Sequence, residues 1–195
     1  MTDKKEQIDL IYAQIIEKLK DGHRPHIEID GELFEQITKK WQKVLDGQKG
    51  QQVGLSELNK VFFILDHARS PQRGLTPLFC QTLDEISEGP TESNETLIFT
   101  LGAAIKHIVE LSQVSGNLIH YEFIEVLKKR LRNTKNPEIL EWILRLIESM
   151  GRQGIKLQKE VRQAKPSILK ALNPHSRAGR QIIDLLERQW SSYVP

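Results

Sequence analysis

The sequence predicts an all-α protein, and three observations lead to that prediction. Apolar residues recur at three- and four-residue spacing along most of the chain, which is the period of a helix that buries one face. A helix-opening phrase led by asparagine occurs three times, at Asn94, Asn136 and Asn173. Strand-like alternation is confined to residues 26–29. We therefore expect more than about two-thirds helix and little or no sheet.

The sequence of the N-terminal quarter of the chain predicts two helices followed by a linker. Apolar residues at helical spacing predict a first helix over 4–20, and Asp30 is placed to cap a second helix that ends at Gly47. Between them, the alternation at 26–29 allows a short extended segment. The stretch 47–54 is polar and glycine-rich, so it is the best linker candidate and the expected first site of limited proteolysis.

This linker divides the chain into two predicted parts. Residues 1–47 are predicted to be an N-terminal helical cap or arm, and residues 54–195 to be the main helical domain. One continuous domain over 1–195 is the alternative, since this length suits one domain or two small ones.

Seven more helices are predicted after the linker. Ser56-Glu57 begins the third helix, and Pro77 lies in the first turn of the fourth. Pro166 must kink or split the helix in which it falls, near Ala164-Lys165. The connections are short, so successive helices should be antiparallel. The last five helices are predicted over residues 94–114, 117–132, 136–150, 153–172 and 175–193.

The repeated phrase has a physical mechanism, which Asn136-Pro137-Glu138 illustrates. Asparagine accepts hydrogen bonds from first-turn amides, proline supplies a helical φ, and glutamate favours the positive helix end. The offsets between the three asparagines are 42 and 37 residues, near the period of helix-pair repeats.

The residues from Asn136 to Gly151 resemble the first helix of a HEAT/armadillo-like repeat, and those from Asn173 to Leu186 are similar to another. The resemblance covers 94–195, with 54–92 as one divergent unit, whereas residues 1–53 do not match. It implies antiparallel helix pairs stacked as a short HEAT-like α-solenoid with an N-terminal helical cap.

Charge is unevenly distributed along the chain. Residues 1–97 carry 12 Lys/Arg against 17 Asp/Glu, and residues 98–195 carry 16 against 9. Basic residues lie at the end of the 117–132 helix and recur every three residues along the 153–172 helix. If these helices lie side by side in a stack, the basic residues should share one surface, which we call the basic wall. A solvated basic helix face is the alternative explanation.

We predict a non-catalytic protein–protein interaction module that presents this basic wall to an acidic protein partner. Trp142 lies off the apolar stripe of its helix and is either a core residue or an exposed contact. The predicted partner-binding residues are Lys128, Lys129, Arg132, Trp142, Arg145, Lys156, Lys159 and Arg162.

Two alternatives remain open at this stage. One is a nucleic-acid-binding protein, or a base-processing enzyme similar to HEAT-like DNA glycosylases, that uses the same wall. Such an enzyme needs acids beside an aromatic residue, and the sequence assigns none to Trp142. The other alternative is a self-assembling structural subunit.

Several sequence features limit where the protein is expected to be located and what chemistry it is expected to perform. Cys80 is the single cysteine, which excludes an internal disulfide and fits a reducing compartment. No signal peptide precedes the first helix and no window approaches membrane-helix length, so we expect a cytoplasmic protein without membrane insertion. No phosphate-loop or dinucleotide motif occurs. We therefore expect no cofactor, no bound metal and no enzyme activity.

Overall fold

Helices account for 76% of the residues that the computed structural model describes, which are 7–47, 54–167, 169 and 172–193. Among these residues there is no strand. A single parallel bridge joins Ile27 to Ala68, and it accounts for the strand-like alternation at 26–29. The all-α prediction is confirmed.

Nine helices lie in the described part of the chain. Two of them change type along their length: α5 has a π-helical middle and α8 begins as a 3₁₀ helix. The helices are α1 Gln7–Lys20, α2 Gly31–Gly47, α3 Leu55–Asp66, α4 Thr76–Glu85, α5 (Thr91–Ala104, Ile105–Glu110 and Leu111–Ser115), α6 Tyr121–Asn133, α7 Pro137–Ser149, α8 (Gly151–Leu157 and Gln158–Gln163) and α9 Pro174–Ser191.

Three helix starts form as the sequence predicts. Oδ1 of Asp30 accepts a hydrogen bond from the Leu33 amide at 2.8 Å. Asn136 Oδ1 accepts one from the Glu138 amide at 2.9 Å, and Asn173 Oδ1 accepts one from the Ser176 amide at 3.1 Å. Each contact satisfies an amide that has no partner within its own helix.

The prediction that Asn94 opens a helix is wrong. Helix α5 begins at Thr91, directly after Pro90, so Asn94 lies in its first turn. The Asn94 side chain instead binds the preceding connection, accepting from the Gly89 amide and donating to the Gly89 carbonyl, both at 3.1 Å. The phrase at Asn94 therefore orders a loop and does not cap a helix.

Helix α8 is shorter than predicted. It ends at Gln163, and Pro166 follows it in the connection to α9 rather than inside a helix. The expected break near Ala164-Lys165 is present, because proline cannot continue the α-helical hydrogen bonding. Of the predicted linker, residues 48–53 lie outside the described residues, so the linker stays a prediction.

Contacts between helices alternate along the chain. Odd-numbered helices touch one another in order, α1 with α3, α3 with α5, α5 with α7 and α7 with α9. Even-numbered helices do the same, α2 with α4, α4 with α6 and α6 with α8. The buried apolar side chains of all nine helices form one continuous core.

The first two helices share this core with the rest of the chain. Trp41 of α2 is fully buried and packs edge-to-face on Phe62 at 4.8 Å and on Phe79 at 4.9 Å between ring centroids. Its indole Nε1 donates to Thr82 Oγ1 at 2.7 Å. Helix α2 is thereby joined to both α3 and α4.

The apolar composition of α5 differs from the expectation that no segment is suited to crossing a membrane. Over Thr91–Ser115 this helix is long and apolar enough to cross a bilayer by length and composition, so the statement that no window approaches this limit is wrong. Half of its most apolar window is buried inside the structure. Packing against α3, α4 and α7 gives a sufficient reason for this composition.

Candidate functional site

The predicted basic residues lie on two helices in contact. Lys128, Lys129 and Arg132 end α6, and α8 carries Lys156, Lys159 and Arg162. The three side chains on α8 are all exposed. Because α6 and α8 touch, the two sets of cations lie on neighbouring helices.

Four of these six cations already have carboxylate partners. Lys128 Nζ lies 2.7 Å from Glu125 Oε1, and Lys129 pairs with Asp84 of α4. Arg162 Nε lies 3.2 Å from Glu187 Oε1 of α9. Arg132 pairs with Glu160 of α8. The positive charge of this surface is therefore largely neutralised by the protein itself.

The pair between Arg132 and Glu160 connects α6 to α8. Glu160 is only 5% exposed. Burial acts to raise the pKa of its carboxyl group, but the hydrogen bond from Arg132, together with a backbone hydrogen bond and the charges of Arg132 and Lys128, outweighs burial, so the pKa lies below its usual value. Removal of Arg132 would leave a buried carboxylate without its partner, which makes this arginine a structural residue.

Lys156 and Lys159, which we call the α8 lysine pair, differ from their neighbours. Both are exposed, and neither has a carboxylate within ion-pair distance in the described part of the chain. The pair is therefore the portion of the predicted surface that has free positive charge.

Trp142 and Arg145 lie elsewhere, in a groove of about 550 Å³ that involves α5, α7 and α9. None of its lining residues belongs to α6 or α8, so these two residues do not join the α8 lysine pair in one site. We call this cleft the Trp142 groove. Its lining residues are Ile105, Glu141, Trp142, Arg145, Glu148 and His175.

A buried carboxylate organises the Trp142 groove. Glu141 is 8% exposed, and its Oε1 accepts from Arg145 Nε at 2.9 Å and Nη2 at 2.6 Å. Its Oε2 lies 2.8 Å from His175 Nδ1, which joins α7 to the start of α9. Burial acts to raise the pKa of Glu141, but the hydrogen bonds and charges of His175 and Arg145 together outweigh burial and lower the pKa below its usual value, so the group is ionised at neutral pH.

Sequence reasoning missed most of this groove. The Glu141–Arg145 contact has i,i+4 spacing within one helix and was readable from the sequence. His175 and Ile105 come from other helices, 34 residues after and 36 residues before Glu141. Only tertiary packing brings them together, and no local pattern indicates that contact.

The described residues also limit the chemistry. They contain no group of three or more His, Cys, Asp or Glu side chains placed to hold a metal ion. Burial, followed by the negative charges of Glu122 and Asp84, raises the pKa of the Cys80 thiol to about 11. This thiol is protonated at neutral pH and is a poor nucleophile.

Comparisons with protein-family models, with curated proteins and with solved structures found no match to this chain. The functional argument therefore depends on the geometry of the α8 lysine pair and of the Trp142 groove.

Proposed function

We propose that the chain is a non-catalytic protein-interaction module that binds an acidic protein partner around the α8 lysine pair. The observation that carries this proposal is the exposure of Lys156 and Lys159, which have no carboxylate partner among the residues that the structure describes. Arg162 lies on the same helix, and Arg132 lies on the neighbouring α6. Free cations on a fixed helix supply electrostatic complementarity to carboxylates, which guides association and fixes its register.

We propose further that the odd and even helices form the two layers of a short HEAT-like solenoid, with α1 and α2 as its N-terminal helical cap. Contacts between each helix and the next but one along the chain support this arrangement. In such a stack α6 and α8 belong to one layer, so their exposed side chains form one continuous surface. The ion pair between Arg132 and the buried Glu160 joins α6 to α8 and would help to hold that surface in place.

The ion pairs favour an acidic protein over nucleic acid. Affinity for a nucleic acid depends on several simultaneous phosphate contacts made by free cations. Asp84, Glu125 and Glu187 already neutralise cations on this surface, so the described residues offer few free cations for such contacts, whereas two lysines are enough to pair with carboxylates of a protein. The position of Trp142 does not distinguish the two partners, because both predictions placed it on the same wall and its groove has other neighbours.

We propose further that the protein is cytoplasmic and that its partner is a different protein, not a second copy of this chain. The free, half-buried Cys80 is consistent with a reducing compartment. Self-assembly is the remaining alternative, and the mass of the purified protein in solution tests it directly. A monomer at working concentration agrees with the proposal, and a closed oligomer would replace it.

Differential affinity capture tests the proposed surface. Three baits are compared: the wild type, Lys156→Glu with Lys159→Glu, and a control with Lys18→Glu and Lys20→Glu. The control residues lie in the exposed last turn of α1, so both variants change the net charge by the same amount. Captures are repeated after nuclease treatment.

The proposal predicts an acidic protein that the wild type and the α1 control capture and that the α8 variant loses, with or without nuclease. Loss of all specific capture after nuclease treatment would instead assign the surface to nucleic acid. Equal capture by the three baits would mean that the lysine pair is a solvated face.

A further inference from the structure

The Trp142 groove has an apolar floor beside charged walls. Trp142 and Ile105 are both half-buried, so part of each side chain faces the solvent. A Cβ at Gly102 would lie 3.8 Å from Cζ3 of Trp142, which is an ordinary van der Waals distance, so the indole lies beside α5 at this position. The floor of the groove thus includes an accessible aromatic ring in a fixed position.

The free charge of this groove is negative. Arg145 is bound by Glu141, and the second oxygen of Glu141 is bound by His175. Glu148 lies one turn beyond Arg145 on the same helix and is partly exposed, and it has no ion-pair partner among the described residues. An incoming ligand therefore meets a free carboxylate, while the guanidinium of Arg145 is already engaged.

We propose that the Trp142 groove binds an arginine side chain of a partner protein segment. The planar guanidinium would stack on the indole and donate hydrogen bonds to the Glu148 carboxylate. Arginine suits this combination better than lysine, because its flat cation both stacks and forms forked hydrogen bonds. The groove is thus a cation-binding site, opposite in charge preference to the α8 lysine pair.

The groove is organised before any ligand binds. Glu141, Arg145 and His175 fix one another, which ties α7 to α9, and the Trp142 ring lies across Gly102 of α5. Side chains that are already ordered lose little conformational freedom on binding. The inference does not depend on the α8 lysine pair, so either proposal can fail without the other.

The indole N–H signals of the three tryptophans give a direct measurement. Trp41 and Trp190 are fully buried and serve as internal controls, and a Trp142→Phe variant identifies the third signal. The full chain is titrated with N-acetylarginine amide, with the neutral isostere N-acetylcitrulline amide and with N-acetylglutamate amide, all at constant ionic strength. The Trp142 signal should shift in a saturable way with the arginine compound alone.

Glu148→Gln removes the charge and keeps the size of the side chain. It should weaken binding of the arginine compound about fivefold, since a partly exposed ion pair and a cation–π contact each contribute modestly. Glu17→Gln, on the exposed face of α1, is the matched control and should bind as the wild type does. Unchanged Trp41 and Trp190 signals show that each variant is folded.

Three results would overturn the proposal. Equal shifts with the citrulline compound would show that charge is not recognised. A saturable shift with the glutamate compound alone would assign the groove to anions through Arg145. Absence of any saturable Trp142 shift, or identical affinity for the wild type and Glu148→Gln, would show that the groove has no such function.

Discussion

At the scale of single residues, His107 has hydrogen bonds at both ring nitrogens. It is 1% exposed and lies in the π-helical part of α5. Its Nδ1 accepts from the Gln72 amide at 2.8 Å, and its Nε2 lies 2.9 Å from the Leu65 carbonyl, to which it donates. Acceptance at Nδ1 requires a neutral ring, and burial lowers the pKa of His107 to about 4.

This pKa predicts a specific dependence of stability on pH. The unfolded chain gains a proton on His107 as pH falls through 6.5, whereas the folded chain does not until about pH 4. Between pH 7 and pH 5, His107 should therefore remove about 2 kcal/mol from the free energy of unfolding. Urea denaturation at both pH values measures this loss.

A comparison of variants isolates the contribution of His107. His107→Gln should show a smaller loss of stability between the two pH values than the wild type shows, although it is less stable at pH 7. His120→Gln, which changes an exposed histidine, should retain the wild-type difference. An unchanged pH dependence in His107→Gln would contradict the assignment.

Residue-scale contacts divide into those that sequence could predict and those that it could not. Asn136 and Asn173 cap helices because their partners are two or three residues away. Asn94 has the same residue type, but Pro90 sets the helix start four residues earlier. The contact of His107 with Leu65 spans 42 residues, so it depends on how α5 packs on α3.

At the scale of elements, Gly154 explains why α8 can pack where it does. It lies in the 3₁₀ segment of α8 and is buried. A Cβ at this position would lie 2.9 Å from the Ile147 carbonyl oxygen and 3.5 Å from the Trp190 ring. The connection from α7 into α8 therefore approaches the backbone of α7 too closely for a larger residue, whereas the Trp190 ring of α9 lies at an ordinary contact distance.

Gly154→Ala should destabilise the protein by about 1–3 kcal/mol, because the backbone must shift to admit the methyl group. Gly31→Ala is the matched control: a Cβ there meets no atom within 4 Å, so stability should stay the same or rise by up to about 1 kcal/mol. Chemical denaturation of both variants measures the difference. Equal stabilities would show that the α7–α8 junction has room to adjust.

Element boundaries were predictable where local chemistry decides them. The start of α7 follows from Asn136-Pro137, and the end of α8 follows from Pro166 within three residues. The 3₁₀ form of Gly151–Leu157 has no local signal in the sequence, and neither has the close approach of Gly154 to Ile147 within it. The π-helical stretch of α5 has no signal in the sequence either.

At the scale of the whole molecule, the shared core predicts a single unfolding transition. Trp41 packs between Phe62 and Phe79, so α2 cannot leave without exposing aromatic rings of α3 and α4. Helix content and tryptophan fluorescence should therefore change at the same urea concentration. Two separate transitions would support the predicted division in which residues 1–47 form a separate N-terminal cap or arm, against the alternative of one continuous domain.

The sequence predicted the helical content and the contact of α6 with α8, because both follow from helical periodicity and short connections. It grouped Trp142 and Arg145 with the cations of those helices, whereas the structure places them in a separate groove. Sequence spacing fixes the face of a helix on which a residue lies. It does not determine which neighbouring helix covers that face.

The central claim is that the α8 lysine pair contacts an acidic protein, and a binding isotherm with the captured partner tests it most directly. The account predicts that Lys156→Glu with Lys159→Glu lowers affinity about tenfold or more and leaves the midpoint of unfolding nearly unchanged, since exposed charges contribute little to stability. The α1 control with Lys18→Glu and Lys20→Glu should bind as tightly as the wild type. Equal affinity of the α8 variant and the wild type for that partner would contradict the account.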